Sequence, residues 1–183
     1  MLEMLVVVAI VSLMAAVGLP HFETYLEEAH LLGAGRQFKA EFLRGRSIAT
    51  RMNVYAAIRF EDGPDGPSFS LYADGNHNGV RSADIAHGVD YRVSGPFPLT
   101  GGAPGVRVAI NEGVPEIPPE QGILSTEDPI RFGADMLSFS PLGTATPGTF
   151  YLAGRYAQAA VRVVAGSARV RLLVCRGGHW SER

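Results

Sequence analysis

The rhythm of apolar and polar positions changes along this chain, and each change predicts an element. Residues 1–20 are one apolar run, broken only by the carboxylate of Glu3 and the hydroxyl of Ser12. At about 1.5 Å of rise per helical residue, the uncharged part from 4 to 19 covers roughly 24 Å of a bilayer core about 30 Å thick. The run predicts a membrane-spanning helix half over residues 1–20, with a signal peptide or a buried core helix as the alternatives. A signal peptide wants a basic start and a small-residue cleavage site after the apolar stretch. Here the first Lys or Arg is Arg36, and the run ends in Gly18-Leu19-Pro20-His21.

Over residues 21–52 the spacing becomes helical and amphipathic. Phe22, Tyr25, Leu26, Ala29, Leu32, Phe38, Phe42 and Ile48 recur near every third or fourth position, with Glu27, Glu28, Arg36, Lys39, Glu41 and Arg44 taking the other face. Gly33, Gly35 and Gly45 each weaken such a helix by up to about 1 kcal/mol relative to Ala, so its stability is expected to come from packing on a domain. From residue 53 the period is two. Residues 54–60 and 68–72 flank Asp62-Gly63-Pro64-Asp65-Gly66-Pro67 as a hairpin, and further strands are expected at 89–93, 106–110, 137–140, 149–153, 161–165 and 170–175. Residues 94–105 and 111–129 read as long surface loops. The resulting fold class is α+β: a long N-terminal helix packed on an antiparallel sheet, with residues 53–183 as the β-rich domain.

Composition adds little to this until charge is followed along the chain. The 183 residues, 46% of them hydrophobic, suit one domain behind an anchor, and the net charge is −2. Residues 61–128 hold eleven carboxylates against three arginines, a net of −8, while residues 138–183 hold six arginines against Glu182, a net of +5. The bland reading of that split is two solvated faces. Cys175 is the sole cysteine, so no intrachain disulfide can form; it is expected to be a small buried side chain, with an intermolecular bridge as the alternative.

One segment looks like a ligand loop. Asp74-Gly75-Asn76-His77-Asn78-Gly79-Val80-Arg81-Ser82-Ala83-Asp84 places side-chain oxygens at the first, third and fifth positions, Gly at the sixth and a carbonyl from Val80 at the seventh. Asp74, Asn76, Asn78, Val80 and Asp84 are therefore candidates for a structural calcium, although Ile85 stands where a calcium loop has its bidentate Glu. The alternative is an Asx and Gly turn between strands, which these residues build unaided. His77 and His87 flank Asp84 without a third His or a nearby Cys, a poor transition-metal set. Serine-elbow, phosphate-loop and paired-cysteine motifs are missing, so no enzyme is expected and no cofactor is required.

The order Leu2-Glu3-Met4-Leu5-Val6-Val7-Val8-Ala9-Ile10, followed by Gly18-Leu19-Pro20 and Phe22, resembles the N-terminal helix of type IV pilins and type II secretion pseudopilins. Residues 136–143, Gly148-Thr149-Phe150-Tyr151-Leu152, Val161-Arg162-Val163-Val164 and Gly166-Ser167-Ala168-Arg169-Val170-Arg171 are similar to the GspH/FimT group of minor pseudopilins and pilins. With Arg44-Gly45-Arg46-Ser47, the likeness covers about 1–72 and 136–174, leaving a variable middle within 73–135.

The resemblance implies a single-pass inner-membrane protein with a periplasmic domain, and a structural subunit of a pseudopilus or pilus acting in secretion or pilus assembly. Its implied partners are other pilins, the inner membrane and the secretion or pilus machinery. Subunit docking falls on Glu3, which in the family is implied to pair with the N-terminal amine of a neighbour, and a kink or melted segment falls on Gly18 and Pro20. The family's basic leader, cleavage-site glycine and first mature aromatic do not occur, and the sequence opens at what resembles the third mature position. The alternative function is a FimT-like DNA-binding minor pilin. Its Gly-Arg-x-Arg element is matched in part by Arg169 and Arg171, with Arg176, His179 and Trp180 nearby.

Overall fold

A computed structural model describes residues 2–63, 66–99 and 103–183, with the side chains of 2, 5 and 15–21 outside the description. The tip of the expected first hairpin at 64–65 and part of the loop at 100–102 lie outside the described residues. The architecture is α+β, a single long N-terminal helix packed on two antiparallel sheets. Helix α1 spans Leu2–Met52, 51 residues, and runs through positions 18 and 20 without a break.

Strands β1 (Ala56–Gly63) and β2 (Gly66–Ala73) form the expected hairpin, in register from Ala56 opposite Ala73 to Gly63 opposite Gly66. The short helix α2 (Ser82–Ala86) then leads to β3 (Tyr91–Pro98), so the first five residues expected as loop from 94 onward continue a strand instead. β4 (Ile130–Arg131) precedes a single 3-10 turn at Gly133–Asp135 and β5 (Met136–Phe139). The chain ends with β6 (Gly148–Ala153), β7 (Gln158–Val164), β8 (Arg169–Arg176) and β9 (His179–Glu182).

The expected single sheet is in fact two, ordered β3-β2-β1-β5 and β4-β6-β7-β8-β9. Residues 106–110 do not form the expected strand. They touch the sheet through one bridge, Arg107 with Ala153, and beyond it the buried Gln158 side chain takes over the backbone's role. Its Nε2 donates to Ala109 O at 2.9 Å and Leu152 O at 3.0 Å, and its Oε1 accepts from Asn111 N at 2.9 Å. Residues 111–129, irregular as expected, cover the outer face of the five-stranded sheet. Ile110, Val114, Ile117 and Leu124 pack there on Tyr151, Ala160, Leu173 and Cys175 as a second core.

The main core lies between α1 and the two sheets. Phe42, fully buried, meets Phe60, Phe132 and Phe150 edge-on at centroid distances of 6.4, 5.8 and 6.3 Å, the arrangement aromatic quadrupoles favour. Two helix glycines that cost propensity are explained here. A Cβ at Gly35 would lie 2.6 Å from Leu172 Cδ1, and one at Gly45 would lie 3.0 Å from the Phe139 ring. Their absence of side chain is what lets the helix axis approach the sheets.

Candidate assembly surface

The surface begins where packing on the domain ends. From Leu31 downward, α1 buries Leu31, Ala34, Phe38, Phe42 and Ala49, with Leu32 and Ile48 half-covered beside them. Above that point the expected apolar face has nothing to pack on, and Phe22, Tyr25 and Leu26 are exposed. Higher still, Met4, Val6, Val7, Val8, Ile10, Val11, Leu13 and Met14 are each 50–73% exposed. With the exposed Ala9 these positions surround the helix except for the sector of Ser12, so residues 4–14 are apolar nearly all round rather than amphipathic, the pattern of a buried or membrane helix. The Ser12 hydroxyl donates to Val8 O at 2.7 Å and so hides its polarity within the helix. Glu3 is exposed in the first turn, where a carboxylate favours the helix dipole. No helix, over the described residues, is long and apolar enough to cross a membrane.

At the junction between the two halves, α1 and the turn before β7 enclose a cavity of about 120 Å³ lined by Thr24, Glu27, Glu28, Leu31, Tyr156 and Arg176 among others. Arg176 at the end of β8 forms an ion pair with Glu28 and ties the helix to the sheet. Glu27 differs: its Oε2 is shut off from solvent and has no hydrogen-bond partner.

The arginines expected to track nucleic acid are engaged and divided. Arg169 and Arg171 lie on one face, as their spacing predicts, but both pair with Glu182, at 3.2 and 2.8 Å. Arg171's hydrogen bond holds the Glu182 carboxyl below its usual value. Arg176 sits five and seven residues further along β8, roughly 16–23 Å away at about 3.3 Å per residue, and faces α1. Trp180 is half-buried, its indole N–H donating to Pro115 O at 2.8 Å.

The candidate calcium loop is closed by its own backbone. Asp74 is buried, and its two oxygens accept from the N–H groups of Asn76, His77 and Gly79 at 2.9, 2.7 and 2.7 Å. Burial opposes the charge on Asp74, yet the N–H groups of Asn76, Gly79, His77 and Asn78 outweigh it and hold the carboxyl below the ordinary value. Asn76 Oδ1 caps Asn78 N, and Asn78 Nδ2 donates to Asp84 at 3.0 Å, while the Val80 side chain turns into a small core. Among the described residues no three His, Cys, Asp or Glu stand close enough to hold a metal. Asp90, which sequence reasoning passed over, completes the loop: buried, it accepts from Gly75 N at 3.1 Å and Arg81 N at 2.8 Å. Cys175 is a free, buried thiol whose pKa burial pushes up.

Comparison with family models, curated proteins and solved structures finds no match to this chain.

Proposed function

We propose that this protein is a structural subunit of a pilin-like filament, held in the inner membrane by the upper half of α1, with its β-rich domain presented outside that membrane. The resemblance of its sequence to minor pseudopilins and pilins of the GspH/FimT group supports a role in protein secretion or pilus assembly. The observation that carries the reading is the division of one continuous helix. From Leu31 down one face of the helix is buried against two sheets, while Met4 to Met14 leave apolar side chains uncovered around most of the helix. An apolar surface of that kind marks a membrane or protein contact. The arginines of the DNA-binding alternative are already paired within the chain, which leaves assembly the better supported function.

Fractionation of cells expressing the full chain tests this. The protein should sediment with membranes, resist extraction by alkaline carbonate and be released by detergent, and Glu3→Ala should sharply lower its recovery in sheared filaments or crosslinked assemblies. Recovery of the full chain in the soluble fraction, or a Glu3→Ala variant that assembles as well as the parent, would overturn the proposal.

A further inference from the structure

We infer that the cavity at the junction of the two halves of α1 docks one zwitterionic lipid headgroup, a primary amine joined to a phosphodiester as in phosphatidylethanolamine, with the ammonium on Glu27 and the phosphate on Arg155. This rests on the membrane placement proposed above and adds to it a ligand at the membrane boundary. The exposed apolar side chains of α1 run as far as Phe22, Tyr25 and Leu26, and Glu27 follows Leu26 directly. Tyr156, in the turn between β6 and β7, is exposed at the cavity wall. Exposed aromatic rings at the end of an apolar membrane segment mark the level of the headgroups. Under that placement the cavity opens where headgroups lie.

The charges around the cavity select the occupant by elimination. Glu28 and Arg176 neutralise each other. That leaves Glu27, whose Oε2 is shut off from solvent with no donor in reach, a state that costs free energy until a donor arrives. It also leaves Arg155, exposed in the cavity wall, its guanidinium 5.2 Å from the Tyr156 ring centroid and in no ion pair among the described residues. The unpaired charges therefore sum to zero. A simple cation would meet Arg155 and Arg176, and an anionic headgroup would meet Glu27 and Glu28. A choline headgroup balances the charge but carries no N–H, so the Glu27 oxygen stays without a donor. A primary ammonium on a phosphodiester answers both needs, donating N–H to Glu27 and offering Arg155 the oxygens that a guanidinium pairs with best. The cavity, about 120 Å³, is several times the ~30 Å³ share of one liquid water. It admits the two carbons and the nitrogen of an ethanolamine arm while the phosphate stays at the exposed rim.

The test uses the full chain, purified in mild detergent with phosphatidylethanolamine, phosphatidylcholine and phosphatidylglycerol of identical acyl chains present in equal amounts, and counts retained lipid by native mass spectrometry. One phosphatidylethanolamine per chain should be kept, roughly tenfold above phosphatidylcholine, the scale of one charged hydrogen bond. Glu27→Leu should bring phosphatidylethanolamine down to the phosphatidylcholine level. Arg155→Gln should weaken both lipids by a similar factor and leave their ratio unchanged. Equal retention of the two zwitterionic lipids by the parent, a preference for phosphatidylglycerol, or an ethanolamine preference that survives Glu27→Leu would each overturn the site. The parent's comparison of two lipids involves no substitution, so a variant that fails to fold does not remove the test. Glycerophosphoethanolamine, the same headgroup without acyl chains, should not displace the lipid at equal concentration; displacement would make the ligand a free zwitterion and overturn the lipid assignment. A chain that sediments with membranes yet shows no ethanolamine preference overturns the site and leaves the membrane reading standing. A chain recovered in the soluble fraction overturns both.

Discussion

The two halves of α1 use similar side chains to opposite ends. In the lower half Phe38 and Phe42 are 3% and 0% exposed, each ringed by aromatic partners from both sheets. In the upper half residues as apolar as Val8, Ile10 and Leu13 are more than half exposed. A helix interior cannot tell the two apart, since backbone hydrogen bonding and propensity are alike in both. What differs is the partner: the domain supplies one to the lower half and, among the described residues, none to residues 4–14. Folding free energy is therefore concentrated below Leu31, and under the proposed filament reading assembly free energy would come from above it.

The largest test of this division is truncation in each half. Phe42→Ala removes a fully buried ring and should destabilise the folded domain by about 3–5 kcal/mol in a urea titration of the detergent-solubilised chain. Val8→Ala should change the same titration by no more than about 0.5 kcal/mol. It should still weaken membrane partition, by about 0.8 kcal/mol for each methylene equivalent lost. Comparable urea shifts from both variants would break the comparison, because the upper half would then belong to the folding unit.

Much of the division was legible beforehand, for reasons tied to particular residues. The run over 4–19 is uncharged and largely apolar in the sequence itself, and Phe38 and Phe42 fall on the helical period of a packed face. Phe22, Tyr25 and Leu26 continue that same period yet have no sheet beneath them, because periodicity reports a face and not what lies opposite. The hairpin of β1 and β2 and the strands β5 to β8 follow from alternation. The strand expected at 106–110 fails because Gln158, distant in sequence, intercepts the backbone groups a neighbouring strand would have used. Asp90 was invisible for the same reason: its role is to chelate Gly75 N and Arg81 N across a loop, and nothing local marks it. The loop at 74–84 carries residue types of a calcium site, and only coordinates reveal that Asp74 accepts three backbone N–H bonds.

Carboxylates sharpen the contrast at intermediate size. Asp74 in the domain accepts three backbone N–H bonds, whereas Glu27 at the junction has a buried oxygen that accepts none. Asp74→Ala leaves three backbone N–H groups without an acceptor and should cost on the order of 2–3 kcal/mol. Because the folded Asp74 carboxyl is held below its ordinary value, the unfolded chain takes up the proton first. Its contribution is complete above the ordinary aspartate range and drains away as pH falls through that range toward the lower folded value. Acid titration of the parent should thus lose stability over an interval that Asp74→Ala flattens. Glu27→Gln should not destabilise the monomer, because it takes charge off a buried oxygen that no donor reaches, and a loss as large as that of Asp74→Ala would show that Glu27 is a folding residue after all.

The smallest effect separates two neighbouring glycines by what faces them. Gly33 points to open space, so Gly33→Ala should stabilise the folded chain by up to about 1 kcal/mol through helix propensity alone. Gly35 faces Leu172, whose Cδ1 would lie 2.6 Å from the new methyl in a core where Leu172 is 1% exposed. The same propensity gain is available there, but overpacking of a buried leucine costs about 1–3 kcal/mol, and the net should be a loss of roughly 1 kcal/mol. The two variants are two residues apart on one helix and make the same chemical change, so opposite signs in matched urea titrations isolate the contribution of the sheet. If Gly35→Ala stabilised as Gly33→Ala does, the close approach of α1 to β8 would not be what holds the lower half in place.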